Sequence, residues 1–372
     1  MSTKTLNIEA DFFHLARLAL TGRGQDVQLL LHRVIKRYRA THPGLTDELV
    51  QLLREAPTRE SPLRRQSELP LPVDSDTRLK LLRVEENPAI DHPPIFAGKL
   101  GEKLAQLVAE RQNPTALIEA GLHPSKTALF VGPPGVGKTL AARWLAKSLG
   151  RPLLILDLAA VMSSYLGRTG GNLRHVLDYA KEIECLLLLD ELDAIAKRRD
   201  DSSEIGELKR LVTVLIQEID DWPPSGLLVA ATNHPDLLDP AIWRRFEMVL
   251  PFPLPDTSSL SAFISDMLES RVEQPGKWGR ILALSLGGRS FSDVERELVA
   301  VRRAAALEGR SLEDALIHLL RSMPDGKAER IELASLLVEE GIMSQRQASD
   351  ITGIARDTIR RHGSTSNSEV DS

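Results

Sequence analysis

The chain has 372 residues, 47 basic and 52 acidic, for a net charge of −5, with 42% hydrophobic and 27% charged residues. That length suggests two or three domains, and the apolar share excludes wholesale disorder. No apolar run approaches the roughly 18 residues of a membrane span, and mild acidity argues against a surface that coats nucleic acid. The N-terminus lacks a secretory pattern. The lone cysteine, Cys185, cannot form an internal disulfide and sits in an apolar run, so it reads as a buried small hydrophobe in a cytoplasmic protein.

In chain order, residues 1–55 read as a small helical bundle. Phe12, Phe13, Leu15, Ala16 and Leu20 pattern the first helix, Leu30, Leu31, Val34, Ile35 and Tyr38 the second, and Leu49, Val50, Leu52 and Leu53 the third. Residues 56–78 carry Pro57, Pro62, Pro70 and Pro72 among polar residues, which is linker composition. From 79 to 256, apolar runs at 128–131, 153–156, 186–189, 227–231 and 248–250 alternate with helical patterns. Unbroken apolar strands separated by helices imply an α/β fold, a parallel sheet covered on both faces. Residues 257–325 are helical throughout, with helices expected at 259–269, 278–286, 292–308 and 312–321. A helical segment at 326–363 follows, and the Ser-rich acidic stretch 364–372 reads as a disordered tail. There is no internal repeat.

The chemistry is in the spacing. Gly132, Pro133, Pro134, Gly135, Val136, Gly137, Lys138 and Thr139 follow the run 128–131 and precede a helical pattern beginning at Leu140. This is a complete phosphate loop in its strand–loop–helix setting. Its glycines let backbone N–H groups turn towards phosphate oxygens, with a helix N-terminus adding its dipole. Lys138 would reach the β- and γ-phosphates of ATP, and the Thr139 hydroxyl would ligate Mg2+. The run 186–189 ends in Asp190 and Glu191, placing one carboxylate towards Mg2+ and the other where it can polarise the attacking water. The run 227–231 leads through Thr232 to Asn233, which would face the γ-phosphate. Arg244 and Arg245 follow in Leu238-Asp-Pro-Ala-Ile-Trp-Arg-Arg-Phe246.

Phosphate loop, acidic pair, Ala-Thr-Asn and the double arginine, in this order, resemble the AAA family of ATPases over about residues 95–325. The segment Arg-Arg-Phe-Glu, followed by Pro-Leu-Pro-Asp256, is most similar to the katanin, spastin and endosomal-sorting branch. The resemblance implies a P-loop α/β domain with a helical lid and a homo-oligomeric ring, usually hexameric, with nucleotide at subunit interfaces. Asn233 matches the sensor residue, and Arg244 and Arg245 match arginine fingers that enter the neighbour's site. Tyr165, Leu166 and Gly167 match the aromatic–aliphatic–glycine triplet that grips a protein substrate in the ring's channel. Residues 200–204 fall where a second pore loop is expected. Residues 287–293, Gly-Gly-Arg-Ser-Phe-Ser-Asp, depart from the small Gly-Ala pair common at the lid position beside adenine, which leaves open both how adenine is held and the role of Arg289.

At the C-terminal end Ser349, Ile351, Gly353, Ile354 and Ile359 resemble a helix-turn-helix whose second helix would present Arg356, Arg360 and Arg361. Residues 327–363 hold equal numbers of basic and acidic residues, whereas phosphate contact favours a basic excess. Residues 344–361 thus read either as a DNA contact or as a helical brace for the ring or a partner. Three functions follow. The leading one is an ATP-hydrolysing protein remodeller. The others are a DNA-associated regulator of a plasmid or mobile element and, from looser resemblance, the ATPase partner of a subtilisin-like protease in bacterial defence or plasmid maintenance.

Overall fold

The computed structural model describes residues 13, 30–31, 34–39, 41–55, 72, 82–90, 92–96, 98–158, 169–197, 205–321 and 326–369. The chain divides into two compact units, residues 1–70 and 71–372. In the first, residues 34–38 are helical and helix α1 spans Pro43–Glu55, with proline at its opening where a missing N–H costs nothing. Tyr38 is buried, and the His42 ring stands edge-on to it with centroids 5.9 Å apart. Of the first expected helix only Phe13 is described, and the linker 56–78 lies outside the described residues apart from Pro72.

The second unit is built on a six-stranded sheet. Its strands are β1 (Arg83–Glu85), β2 (Thr127–Val131), β3 (Leu153–Asp157), β4 (Leu186–Asp190), β5 (Leu227–Thr232) and β6 (Met248–Pro251), in the spatial order β1-β3-β4-β5-β2-β6. All neighbours pair parallel except β1, which runs antiparallel to β3 at one edge. Side chains alternate between two cores, as strand geometry requires. On one face Leu129, Leu154, Leu187, Leu189 and Leu228 pack against α5 (Thr169–Glu182) and α7 (Ile205–Asp220). On the other, Phe130, Leu153, Leu186, Leu188 and Val229 pack against α2 (Gly98–Gln112) and α4 (Lys138–Ser148). Short helices α3 (Pro114–Glu119), α6 (Ala194–Lys197) and α8 (Pro240–Trp243) join these elements. Burial on both faces is why the strand sequences read as unbroken apolar runs. Cys185 is buried beside them, and burial pushes its thiol up to about 12, so it behaves as a small apolar side chain.

Residues beyond the sheet form helices α9 (Thr257–Leu268), α10 (Pro275–Ser285), α11 (Phe291–Glu308), α12 (Leu312–Arg321), α13 (Lys327–Glu339), α14 (Gln345–Thr352) and α15 (Arg356–Glu369). One continuous core serves α9 to α15: Leu260, Trp278, Leu282, Leu298 and Leu316 are joined by Leu333, Leu337, Ala348, Ile354 and Ile359. Arg280 of α10 fixes Glu340 through two hydrogen bonds of 2.6 and 2.7 Å, and that guanidinium holds the carboxyl below its usual range. Helix α15 continues to Glu369, through six residues of the stretch whose composition reads as a tail. Once the packed turns around Ile359 are formed, adding a further helical residue costs little.

Candidate functional site

Strands β2, β4 and β5 deliver the phosphate loop, the acidic pair and Asn233 to one edge of the sheet, at their C-terminal ends. That is where open parallel sheets bind ligands. Gly135 and Gly137 adopt φ of 78° and 94°, a region side chains resist, and so turn the chain into α4. Gly132 meets a different demand: a Cβ there would stand 2.0 Å from the carbonyl oxygen of Phe252, beside β6. Lys138 is 7% exposed, and its Nζ donates to Gly132 O at 2.7 Å, Pro133 O at 2.8 Å and Asn233 Oδ1 at 2.7 Å. Burial lowers its pKa to about 8, against the opposing pull of Asp190 and Asp193.

Thr139 Oγ1 donates to Asp190 Oδ2 at 3.3 Å. A hydroxyl beside a carboxylate offers the hard oxygen donors that Mg2+ takes, so this pair fits the ion. Glu191 has φ 55°, unusual for a residue with a side chain, and its N–H donates to Asp190 Oδ1 at 3.0 Å. A left-handed non-glycine residue carries strain of about 1–3 kcal/mol that the surroundings must hold, and such residues cluster at working sites. Here it turns the chain sharply at the end of β4.

A further carboxylate, which no sequence motif marks, organises the site from below. Asp193 is 1% exposed, and its Oδ1 accepts from the Thr232 hydroxyl at 3.1 Å and from the Asn233 N–H at 3.1 Å. Asp193 thereby ties the turn after β4 to the end of β5 and fixes the backbone of Asn233. The only signal in the sequence is an acid three residues after Asp190 within an otherwise apolar stretch.

A cleft of about 460 Å³ opens above these groups. Lys138, Thr139, Asp190, Glu191 and Asn233 line one end, and Ile95, Phe96, Phe263 and Phe291 the other. The segment 92–96, His-Pro-Pro-Ile-Phe, and the first turns of α9 and α11 supply the surface a base would need. His92 Nδ1 lies 2.5 Å from Asp266 Oδ2 of α9. Helix α11 sits directly on the phosphate loop, its Ser292 N–H donating to Gly135 O at 3.2 Å, and Ser290 caps it by accepting from the Asp293 N–H. Arg289 pairs with Glu297 at 3.5 Å and does not line the cleft.

Arg244 and Arg245 are not brought to this cleft. Asp239 caps α8 by accepting from Ala241 N–H at 2.8 Å, and the helix ends at the two exposed arginines. Arg245 pairs with Asp220 at 3.2 Å, whereas Arg244 makes no ion pair or side-chain hydrogen bond among the described residues. Tyr165, Leu166 and Gly167, and residues 200–204, lie outside the described residues. At the C-terminal end a three-residue turn, opened by Gly353 at φ 69°, joins α14 to α15. Arg356, Arg360 and Arg361 are exposed on α15, and Arg360 is paired with Asp357 at 3.2 Å.

The family profile described as "ATPase family associated with various cellular activities (AAA)" matches residues 128–254. The chain is 33% identical over 296 residues to an uncharacterized AAA family ATPase of Sinorhizobium fredii, covering 79% of this chain and 88% of that protein. It is 34% identical over 173 residues to the 26S proteasome regulatory subunit S10B homolog B of Arabidopsis thaliana, covering 44% of this chain and 43% of that one. It is 33% identical over 197 residues to the proteasome-activating nucleotidase of Methanopyrus kandleri, covering 50% and 45%. The chain thus spans less than half the length of these two proteasome-related proteins.

Proposed function

This chain belongs to the AAA family of ATPases, and from that premise we propose that it hydrolyses ATP as an oligomeric ring and uses the cycle to unfold or remodel a protein substrate. The observation that carries the proposal is the convergence of Lys138, Thr139, Asp190, Glu191 and Asn233 on one cleft at the ends of adjacent strands.

In this reading Lys138 exchanges its three protein acceptors for the β- and γ-phosphate oxygens of ATP. Glu191 accepts the proton of the attacking water, and Asn233, held by Asp193, orients that water at the γ-phosphate. Thr139 and Asp190 would hold Mg2+, which neutralises phosphate charge and polarises the phosphoryl oxygen. Among the described residues the one arginine lining the cleft is Arg143, which is held by Glu85, and Arg244 stands exposed with no ion pair or side-chain hydrogen bond. In a ring, probe of a neighbour's cleft by Arg244 would make hydrolysis depend on assembly, with Arg245 joining on release from Asp220. A hexamer, with Tyr165, Leu166 and Gly167 gripping the substrate, follows from the family resemblance. The arginine segment resembles that of the katanin and spastin branch, whereas two of the three relatives above carry proteasome names. Action on a polypeptide is common to both.

A subunit-mixing experiment tests this reading. Lys138→Ala and Arg244→Ala proteins should each be inactive alone, and their mixture should recover a measurable fraction of wild-type ATP turnover. A mixture as inactive as its parts contradicts action across the subunit boundary. One observation favours a second reading, a DNA-associated regulator: three exposed arginines share α15. An electrophoretic shift of DNA lost in Arg356→Ala/Arg361→Ala would support it.

A further inference from the structure

We propose that the helical lid carries a docking site for an acidic peptide segment bearing an apolar side chain, supplied by a partner protein. The site is a hollow of about 630 Å³, remote in sequence from the phosphate loop, lined by Arg271, Arg302, Arg303 and Arg310 with Val299 and Leu312. Four guanidiniums around one concavity repel one another, and a folded chain keeps such a cluster at a cost unless something anionic relieves it.

Among the described residues, acids relieve it at one arginine of the four. Glu308 pairs with Arg310 at 2.8 Å. Arg271, in the turn after α9, donates to the Met267 carbonyl oxygen at the end of that helix, a neutral partner. Among the described residues Arg302 and Arg303 make no ion pair or side-chain hydrogen bond. Nor does the helix dipole account for them, because the last turn of α11 contains no basic residue and both arginines precede it. Arg310 follows the helix, past its cap Gly309, and its Nε–H is enclosed without a partner. The arginine fork matches a carboxylate through two parallel hydrogen bonds, which a lysine cluster would not.

The apolar lining sets the rest of the chemistry. Val299, Ala305 and Leu312 form the floor, and Leu307, 88% exposed, stands on the adjoining turn of α11. An exposed leucine beside Arg302 and Arg303 suits a peptide that alternates acidic and apolar side chains. A nucleic acid is a poorer match. Among the described residues no aromatic side chain lines the hollow for a base to stack on, and a compact cluster does not track a backbone.

Fluorescence anisotropy on the full-length protein tests the site. The probes are a short fluorescein-labelled peptide of repeating Glu-Glu-Leu, its Gln-Gln-Leu counterpart and an oligothymidylate. The acidic peptide should bind, the glutamine peptide at least about tenfold more weakly. Arg302→Gln/Arg303→Gln should weaken the acidic peptide about tenfold while leaving basal ATP turnover unchanged and thermal melting no lower. Should the double variant melt early, the exposed Arg303→Gln alone should still weaken binding severalfold, as should Leu307→Ser. Equal binding of the two peptides, or acidic-peptide binding untouched by the arginine and leucine variants, overturns the proposal. Tighter binding of the oligothymidylate, lost with the same arginines, overturns it in favour of a nucleic-acid surface.

Discussion

Lys138 gives the site a pH dependence that can be worked through. Desolvation lowers its pKa from 10.5 to about 8 in the folded chain. A lysine whose pKa is depressed by folding is protonated in the unfolded chain over a range where the folded chain has lost the proton. Below about pH 8 the fold therefore carries the full cost of a buried ammonium, roughly 3 kcal/mol for a shift of this size. Between about pH 8 and 10.5 that cost is progressively relieved, so this group makes the nucleotide-free protein more stable as pH rises. The phosphates of ATP reverse the preference, because the charged form now has anionic partners. Binding must then take up a proton: about one-tenth per site near pH 7, about half near pH 8, and about nine-tenths near pH 9. Affinity should fall by up to about tenfold per pH unit above 8. Isothermal titration calorimetry with a non-hydrolysable ATP analogue, repeated in buffers of different ionisation enthalpy, measures the uptake as a slope. Tight binding at pH 9 with no dependence on the buffer would refute the buried, depressed lysine.

The other predictions concern the supports of the site. Asp193→Ala removes an acceptor from both Thr232 and Asn233 and should cost about 2–5 kcal/mol of stability, with ATP turnover falling more than nucleotide affinity. Asp193→Asn, which keeps an oxygen there, should be milder in thermal melts, and equal effects of the two would contradict the assigned bonds. Gly132→Ala places a methyl group 2.0 Å from the Phe252 carbonyl oxygen, so it should lose about 1–3 kcal/mol in chemical denaturation and lose nucleotide binding with it. An unchanged midpoint would mean that β2 and β6 do not approach as described.

Five of the strands are legible in the sequence as uninterrupted apolar runs, four of them because they are buried on both faces, and the phosphate loop is legible because its glycines and lysine have fixed offsets. β1 escapes notice: three residues, two of them charged, at an edge where Arg143 and Glu85 meet at 2.9 Å. Asp193 escapes because its role is set by what β5 brings beside it across 40 positions. Residues 92–96 escape because nothing in His-Pro-Pro-Ile-Phe itself marks a binding surface until α9 and α11 stand beside it at the cleft. The ion pair between Arg245 and Asp220 is likewise a product of packing, and it separates two arginines that the sequence presents as equivalent.

The central claim is ATP hydrolysis at this cleft with Glu191 as the group that activates water. Phosphate release by the wild-type protein and by Glu191→Gln, measured together with nucleotide binding, tests it most directly. The expected result is steady turnover by the wild type, and a variant that binds ATP with similar affinity yet releases phosphate at least about a hundredfold more slowly. Turnover by Glu191→Gln at the wild-type rate would contradict the account.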